Sequence, residues 1–402
     1  MALSLLLTSS RKSVSATSRG RAQSILKKAL SSARNMSSSD PGSTSSSPLP
    51  LHTVAITGAS GMYGNAIIDE LLKQENGQLK GKKLSIVKLV RSDSIEDAEE
   101  VRSKLDNQEE QIKTLRWNPN ADSDNNGSDN SVIHPEALKS IDTLIHLAGE
   151  NVGEGLLPGP LGFLGVHAWS QEKKDLIMNS RVGPTKALAH AIADCDEPTS
   201  FIVASGVGVY GNGFVQSDSE VEAPDESADV STTKGFLADV SREWEAASKP
   251  ASTAENRVVN LRIAPIMSKL GGALGKLYPI FFLGGGGNVG SGKQYFSYIS
   301  ARDAARSVVH IIENDSLEGP VNIVAPTKAT NADFTSALGK IMSRPTIIPL
   351  PAFAVKLLFG EMGEEMLLGG VKATPKKLTD SGFEFQHDTM EKALESAINE
   401  SI

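Results

Sequence analysis

Short apolar runs alternate along the chain with longer stretches in which apolar residues return every three or four positions, and the two periods predict strands and helices in succession. The first run, Val54-Ala55-Ile56-Thr57, reads as a buried strand. It leads through Gly58-Ala59-Ser60-Gly61-Met62-Tyr63-Gly64 into a helix with Ile67, Ile68, Leu71 and Leu72 on one side. A second apolar run over 84–90 completes a strand-helix-strand unit. Further along come a strand within 141–149, a helical stretch near 171–193, a strand over 201–205, a helix carrying Leu237, Val240, Trp244 and Ala247, and a strand over 257–262. This order predicts an α/β fold of the Rossmann type, a doubly wound parallel sheet with helices on both faces and ligands at the carboxyl ends of its strands.

Two stretches interrupt the alternation. Residues 118–131 are rich in Asn, Asp and Ser and read as a solvated surface loop. Residues 154–166 are apolar and rich in Gly and Pro, and read as a packed loop or a lid beyond a strand end. Near the end, Thr374 before Pro375 reads as a helix start closed by Gly382, and residues 387–402 read as an amphipathic helix with Met390, Ala393, Leu394 and Ala397. The expected organisation is a leader and linker over 1–50, a dinucleotide-binding domain over 51–346 with substrate-side elements interleaved from about 265, and a small α-rich domain over 347–402.

Charge changes the picture at the amino end. The chain has 402 residues, a formal charge of −8 and a pI near 5.5, a balance that argues against a nucleic-acid-binding surface. Residues 1–36 run the other way, with Arg11, Lys12, Arg19, Arg21, Lys27, Lys28 and Arg34 and no acid at all. Ile25, Leu26 and Leu30 fall on one side of a helix there, as in a mitochondrial presequence, so the expected location is the mitochondrial matrix, with the plastid stroma as alternative. The Ser- and Pro-rich residues 37–50 read as a linker. Cys195 stands alone, so neither an internal disulfide nor a cysteine zinc site is available. The seven His show no metal-ligand spacing. No metal and no membrane span are expected.

The glycine turn carries the candidate chemistry. Its position between strand and helix suits a dinucleotide: Gly58 permits a tight turn, Gly61 a close approach to a pyrophosphate, and Gly64 close packing of the helix on the sheet, whose first amides then face the phosphates. The candidate cofactor residues of this turn are Thr57, Gly58, Ser60, Gly61, Met62, Tyr63 and Gly64.

With this turn, Leu147-Ala148-Gly149-Glu150, Asn179-Ser180-Arg181-Val182, Val207-Gly208-Val209-Tyr210-Gly211, Glu243-Trp244-Glu245, the stretch 290–299 and the tail 350–394, the chain resembles the extended short-chain dehydrogenase/epimerase superfamily. Within it, the chain is similar to the epimerase-like family that includes SulA-like cell-division-inhibitor homologues of bacteria and plastids. The resemblance spans nearly all of 53–397. It implies a bound nicotinamide dinucleotide and a tail of unknown function, with Leu147, Ala148, Gly149 and Glu150 lining the adenine and ribose side. Arg91 and Ser92 stand after the second strand, where an NAD site would place an acid. A guanidinium and a hydroxyl there suit a 2′-phosphate, so NADP is expected over NAD.

Active members of the superfamily use a Tyr-x-x-x-Lys pair for proton transfer. Here the tyrosine position holds Phe236 or Leu237, the lysine position Val240 or Ser241, and the superfamily serine position Gly206. Ser205 and Tyr210 are the candidate catalytic substitutes, with positive charge from Lys173 or Arg181. The glycine-rich loop 284–294 reads either as a close approach to ligand, with Gln294 and Tyr298 near the cleft, or as a flexible hairpin connection between the domains. Two functions remain open: an NADP(H)-dependent oxidoreductase or epimerase-like protein acting on an unknown small molecule, or a non-catalytic dinucleotide-binding regulator, as of organelle division.

Overall fold

The computed structural model describes residues 49–107, 109–121, 131–153, 169–211 and 222–399, and the residues from Pro50 on form one compact unit. The leader and linker as far as residue 48, the core of the Asn/Asp loop and the 154–166 segment lie outside the described residues. The strands are β1 (Leu51–Thr57), β2 (Gln78–Leu79), β3 (Lys82–Arg91), β4 (Ile112–Trp117), β5 (Thr143–His146), β6 (Ser200–Gly206), β7 (Arg257–Ile263), β8 (Ile266–Met267), β9 (Ile299–Ser300) and β10 (Gly319–Ile323). The helices are α1 (Met62–Leu72), α2 (Ala98–Asp106), α3 (Pro135–Leu138), α4 (Gln171–Ala193), α5 (Phe236–Ser248), α6 (Gly272–Phe282), α7 (Ala301–Glu313), α8 (Asn331–Met342), α9 (Ala352–Gly363), α10 (Lys376–Asp380) and α11 (Met390–Asn399).

The main sheet runs β10-β7-β6-β5-β1-β3, with β4 and the short antiparallel β2 both on β3. All other pairings are parallel, as the alternating pattern predicts. Burial follows the pleat: Val54 and Ile56 of β1 face a core with Ile67, Leu71, Val308 and Ile312, whereas Ala55 faces Leu144, Leu188 and Phe201. Each fully buried Leu or Ile contributes about 1.5–3 kcal/mol, so both sheet faces hold the fold. On α1, Leu72 is the exception to the expected stripe and stays 39% exposed.

Strand β1 lies between β3 and β5, so the connections leave it in opposite directions and a crevice opens at its carboxyl end. A second layer closes over that end. The pair β8-β9 and the helices α6, α8 and α11 share a core of Met267, Leu274, Phe281, Tyr298, Phe334 and Leu394.

Two local expectations are corrected. Thr374 does not cap α10; its amide donates to Pro224, and Glu226, distant in sequence, accepts the Lys377 amide instead at 3.3 Å. The glycine-rich loop is pressed against the chain itself, since a side chain at Gly287 would collide with the carbonyl of Ile348 and one at Gly286 would lie 2.7 Å from the Phe281 ring. Among the described residues no helix is long and apolar enough to cross a membrane.

Candidate functional site

The chain leaves β1 at Gly58, whose φ of +69° lies in the left-handed region. A side chain there would also press on the backbone of Leu147 and Ala148, 3.1 Å away. Gly61 donates to the Gly58 carbonyl at 3.0 Å and caps α1 without any side chain on the first amides, which leaves them to an anion. A Cβ at Gly64 would collide with the Gly58 carbonyl and lie 2.8 Å from the Cα of Ala59. The third glycine thus lets the helix meet the turn itself, rather than the sheet. An uncapped helix end behind a turn that excludes side chains fits a dinucleotide pyrophosphate.

Thr57 ties this turn to the end of β5. Its Oγ1 accepts from the amides of Leu147 (3.2 Å) and Ala148 (3.4 Å) and meets Nδ1 of His146 at 2.7 Å. With its lone pairs engaged, the hydroxyl donates to Nδ1, which assigns the imidazole proton to Nε2. That Nε2 has no hydrogen-bond partner among the described residues, and the Trp117 ring lies edge-on to the imidazole at 5.5 Å. Burial, aided by the charge of Arg181, pulls the His146 pKa down to about 3. His146 is therefore a neutral positioning group. A lone His in an apolar strand gives no sequence signal of this.

The other turn residues divide. Met62 lines the main cavity, whereas the Tyr63 ring packs on the core and its hydroxyl donates to Ala304 at 3.0 Å, so only its backbone belongs to the turn. Ser60 is exposed, and its carbonyl accepts from Asn65 at 3.1 Å. Arg91 and Ser92 line a separate hollow of about 490 Å³ with Lys104, Arg116 and Glu96. Glu96 is already engaged by Lys104 at 2.9 Å, and among the described residues Arg91 makes no ion pair. Beyond β5, Glu150 pairs with Lys173 at 2.6 Å and its carbonyl accepts from Arg181 at 2.8 Å.

The main cavity, about 450 Å³, lies at the carboxyl ends of β6 and β7. Val240, Trp244, Ile266 and Phe296 give it an apolar body, and Lys234 and Lys276 add positive charge. Ser205 lines it, but its hydroxyl donates to Glu245 at 2.9 Å, and Glu245 grips Arg262 through two bonds of 2.8 and 3.0 Å. Burial works against the Arg262 charge, yet this pairing outweighs it and holds the guanidinium above the usual arginine range. Ser205 so placed offers the cavity an acceptor.

Tyr210 does not reach the cavity. It is fully buried, with its hydroxyl shared between the Asp225 carbonyl (2.9 Å) and Asn322 (2.8 Å) and accepting from Arg262 at 3.1 Å. Burial raises its pKa. Gln294 and Tyr298 are likewise turned away: Gln294 donates to Val289 and Leu367, both at 3.0 Å, and Tyr298 is buried. Tyr295 and Phe296 face the cavity in their place.

Glu365, unsignalled by the sequence, also lines the cavity. Its carboxylate accepts from the amides of Phe236 (2.6 Å) and Leu237 (2.9 Å), capping α5 from the carboxyl-terminal region. Burial raises its pKa against the pull of those two bonds.

Residues 350–397 match the model of a domain of unknown function, DUF1731. Epimerase family protein Mb2239 of Mycobacterium bovis is 34% identical over 341 residues, spanning 85% of this chain and 96% of the relative. The chloroplastic SDR39U1 homolog of Arabidopsis thaliana, also named an epimerase family protein, is 35% identical over 229 residues, 56% of this chain and 63% of the relative. Among solved structures, the human epimerase family protein SDR39U1 (isoform 2), crystallised with NADPH, superimposes with a TM-score of 0.67 at 25% identity, covering 86% of this chain and 99% of that one.

Proposed function

The chain belongs to the epimerase family, and from that premise we propose that it binds NADP(H) across the end of β1 and exchanges hydride between the nicotinamide and a small, largely apolar molecule held in the main cavity. The observation that carries this reading is the glycine turn, with its uncapped helix end opening onto the same cavity through Met62. The NADPH in the human relative supports the cofactor, and Arg91, with no acid in its place, supports the phosphorylated form. The residues that would hold the dinucleotide are the turn from Thr57 to Gly64 and the segment after β5. When bound, the cofactor would supply the hydride.

Titration of the full chain with NADPH and NADH by calorimetry tests this. NADPH is expected to bind at least about tenfold more tightly, a difference of about 1.4 kcal/mol, and Arg91→Ala to erase the preference. Equal affinities in the wild type would refute the NADP assignment.

Proton transfer on this reading differs from that of a Tyr-x-x-x-Lys enzyme, because neither Phe236 nor Leu237 has a transferable proton, neither Val240 nor Ser241 carries a charge to tune one, and the Ser205 hydroxyl is already donated to Glu245. That same observation favours a second reading, a dinucleotide-binding regulator without turnover. Ordinary rates on common carbonyl or sugar-nucleotide substrates would exclude it. The acid-free basic leader supports import into an organelle. The name of the Arabidopsis relative supports the plastid stroma over the mitochondrial matrix.

A further inference from the structure

Arg181 is a buried cation that no carboxylate touches among the described residues: burial pulls its pKa down to about 10, and the charge of Glu150, whose carboxylate is on Lys173, offsets this only from beyond contact. Only 8% of Arg181 is exposed. Its bonds go to oxygens that carry no full charge: Nη1 donates to the Ile177 carbonyl at 3.0 Å and Nη2 to the Glu150 carbonyl at 2.8 Å, while Nε donates to none of them. The neighbouring buried arginine, Arg262, is matched by Glu245 on two bonds. A buried charge left uncompensated is costly, and an anionic ligand in the cavity would offset that cost here.

The placement of Arg181 says which ligand. The guanidinium stacks on Trp244 at 4.9 Å, and a Cβ at Gly149 would stand 3.1 Å from its Cζ, so it is clamped between α5 and the turn after β5. It lines the main cavity with Ser205 and Ser241. On this side α5 presents Val240, Ser241 and Trp244, none of them charged, so the positive charge at this depth is delivered from α4. Arg91 stands on the opposite side of β1, at the end of β3. A dinucleotide crossing the glycine turn with its 2′-phosphate toward Arg91 must lay its other half toward β6, where Arg181 waits.

We propose that Arg181 binds the nicotinamide mononucleotide half of NADP(H), donating from Nε and Nη2 to the oxygens of its ribose and phosphate. This rests on the dinucleotide reading above. In it, α4 supplies the cation that α5 lacks.

The test compares NADPH with adenosine 2′,5′-bisphosphate, which carries the adenosine half alone, by calorimetry on the full chain. Arg181→Met should weaken NADPH by about 10- to 100-fold, the range for a hydrogen bond to a charged group, and leave the bisphosphate unchanged. Arg181→Lys should recover part of the loss. Retained bisphosphate binding also reports that the variant is folded. Unchanged NADPH affinity in Arg181→Met, or equal loss of both ligands in both variants, would overturn the assignment. Wild-type protein that binds neither ligand would overturn the dinucleotide reading beneath it.

Discussion

Acidification should loosen the glycine turn through His146. The imidazole is neutral in the fold with a pKa of about 3, whereas in the unfolded chain it titrates near 6.5. Because the folded value is depressed, the unfolded state takes up the proton first. The stability is therefore fully present above about pH 6.5 and is lost as pH falls from there toward 3. At pH 5 the unfolded form is almost wholly protonated and the folded form is not, a difference of about 2 kcal/mol. His146→Asn keeps an acceptor for the Thr57 hydroxyl but does not titrate. His52 and His310, whose pKa values burial also lowers, are common to both proteins and cancel in the comparison. Urea unfolding at pH 7 and pH 5 should show the wild type losing about 2 kcal/mol more than His146→Asn. Equal losses in the two proteins would refute the reasoning.

Gly61→Val should abolish NADPH binding, read by cofactor fluorescence, while circular dichroism stays native, since its Cβ would begin 3.2 Å from the Gly58 carbonyl and its methyls would fill the phosphate cradle. Tyr210→Phe should cost about 1–3 kcal/mol in denaturant unfolding, because Asn322 and Arg262 lose a buried partner; its NADPH affinity should match wild type, and a loss there would return the phenol to the site. Glu365→Ala should cost about 1 kcal/mol of stability by uncapping α5, and unchanged thermal unfolding would show the cap to be idle.

The parallel strands on either side of the crevice were legible because their faces are uniformly apolar, and the glycine turn because its geometry is fixed by neighbours in sequence. The edge strand Ile112–Trp117 was not. Its inward face reads Lys113, Leu115, Trp117, and the lysine breaks the alternation although it is buried, with its amine on the Leu105 carbonyl at 2.6 Å. Strand β10 opens on Gly-Pro and buries Asn322, which reads as a turn rather than a strand. In the site, the failures share one cause. Tyr210 reads as a cleft residue because it stands just past the end of a strand, but the short helical turn Val207–Tyr210 swings its ring inward against Arg262 and Asn322. Arg181 was legible as a source of positive charge on the helix before β6, whereas Glu365 gains its place through packing between segments distant in sequence, which no local pattern encodes.

The cap on α5 has a consequence for synthesis. Glu365 lies 128 residues after the Leu237 amide that it receives. At a translation rate of about 5–20 residues per second, that gap lasts roughly 6 to 26 s. Throughout it, the nascent chain already holds the phosphate turn and β1, β3, β5 and β6, while the first turn of α5 has bare amides and the wall carrying Glu365 and Met366 has not been made. Leu237 and Val240, which share a cluster with Phe359, Met362 and Met366, are then the apolar surface still waiting for its cover, and a chaperone that engages this chain on the ribosome would find its grip there.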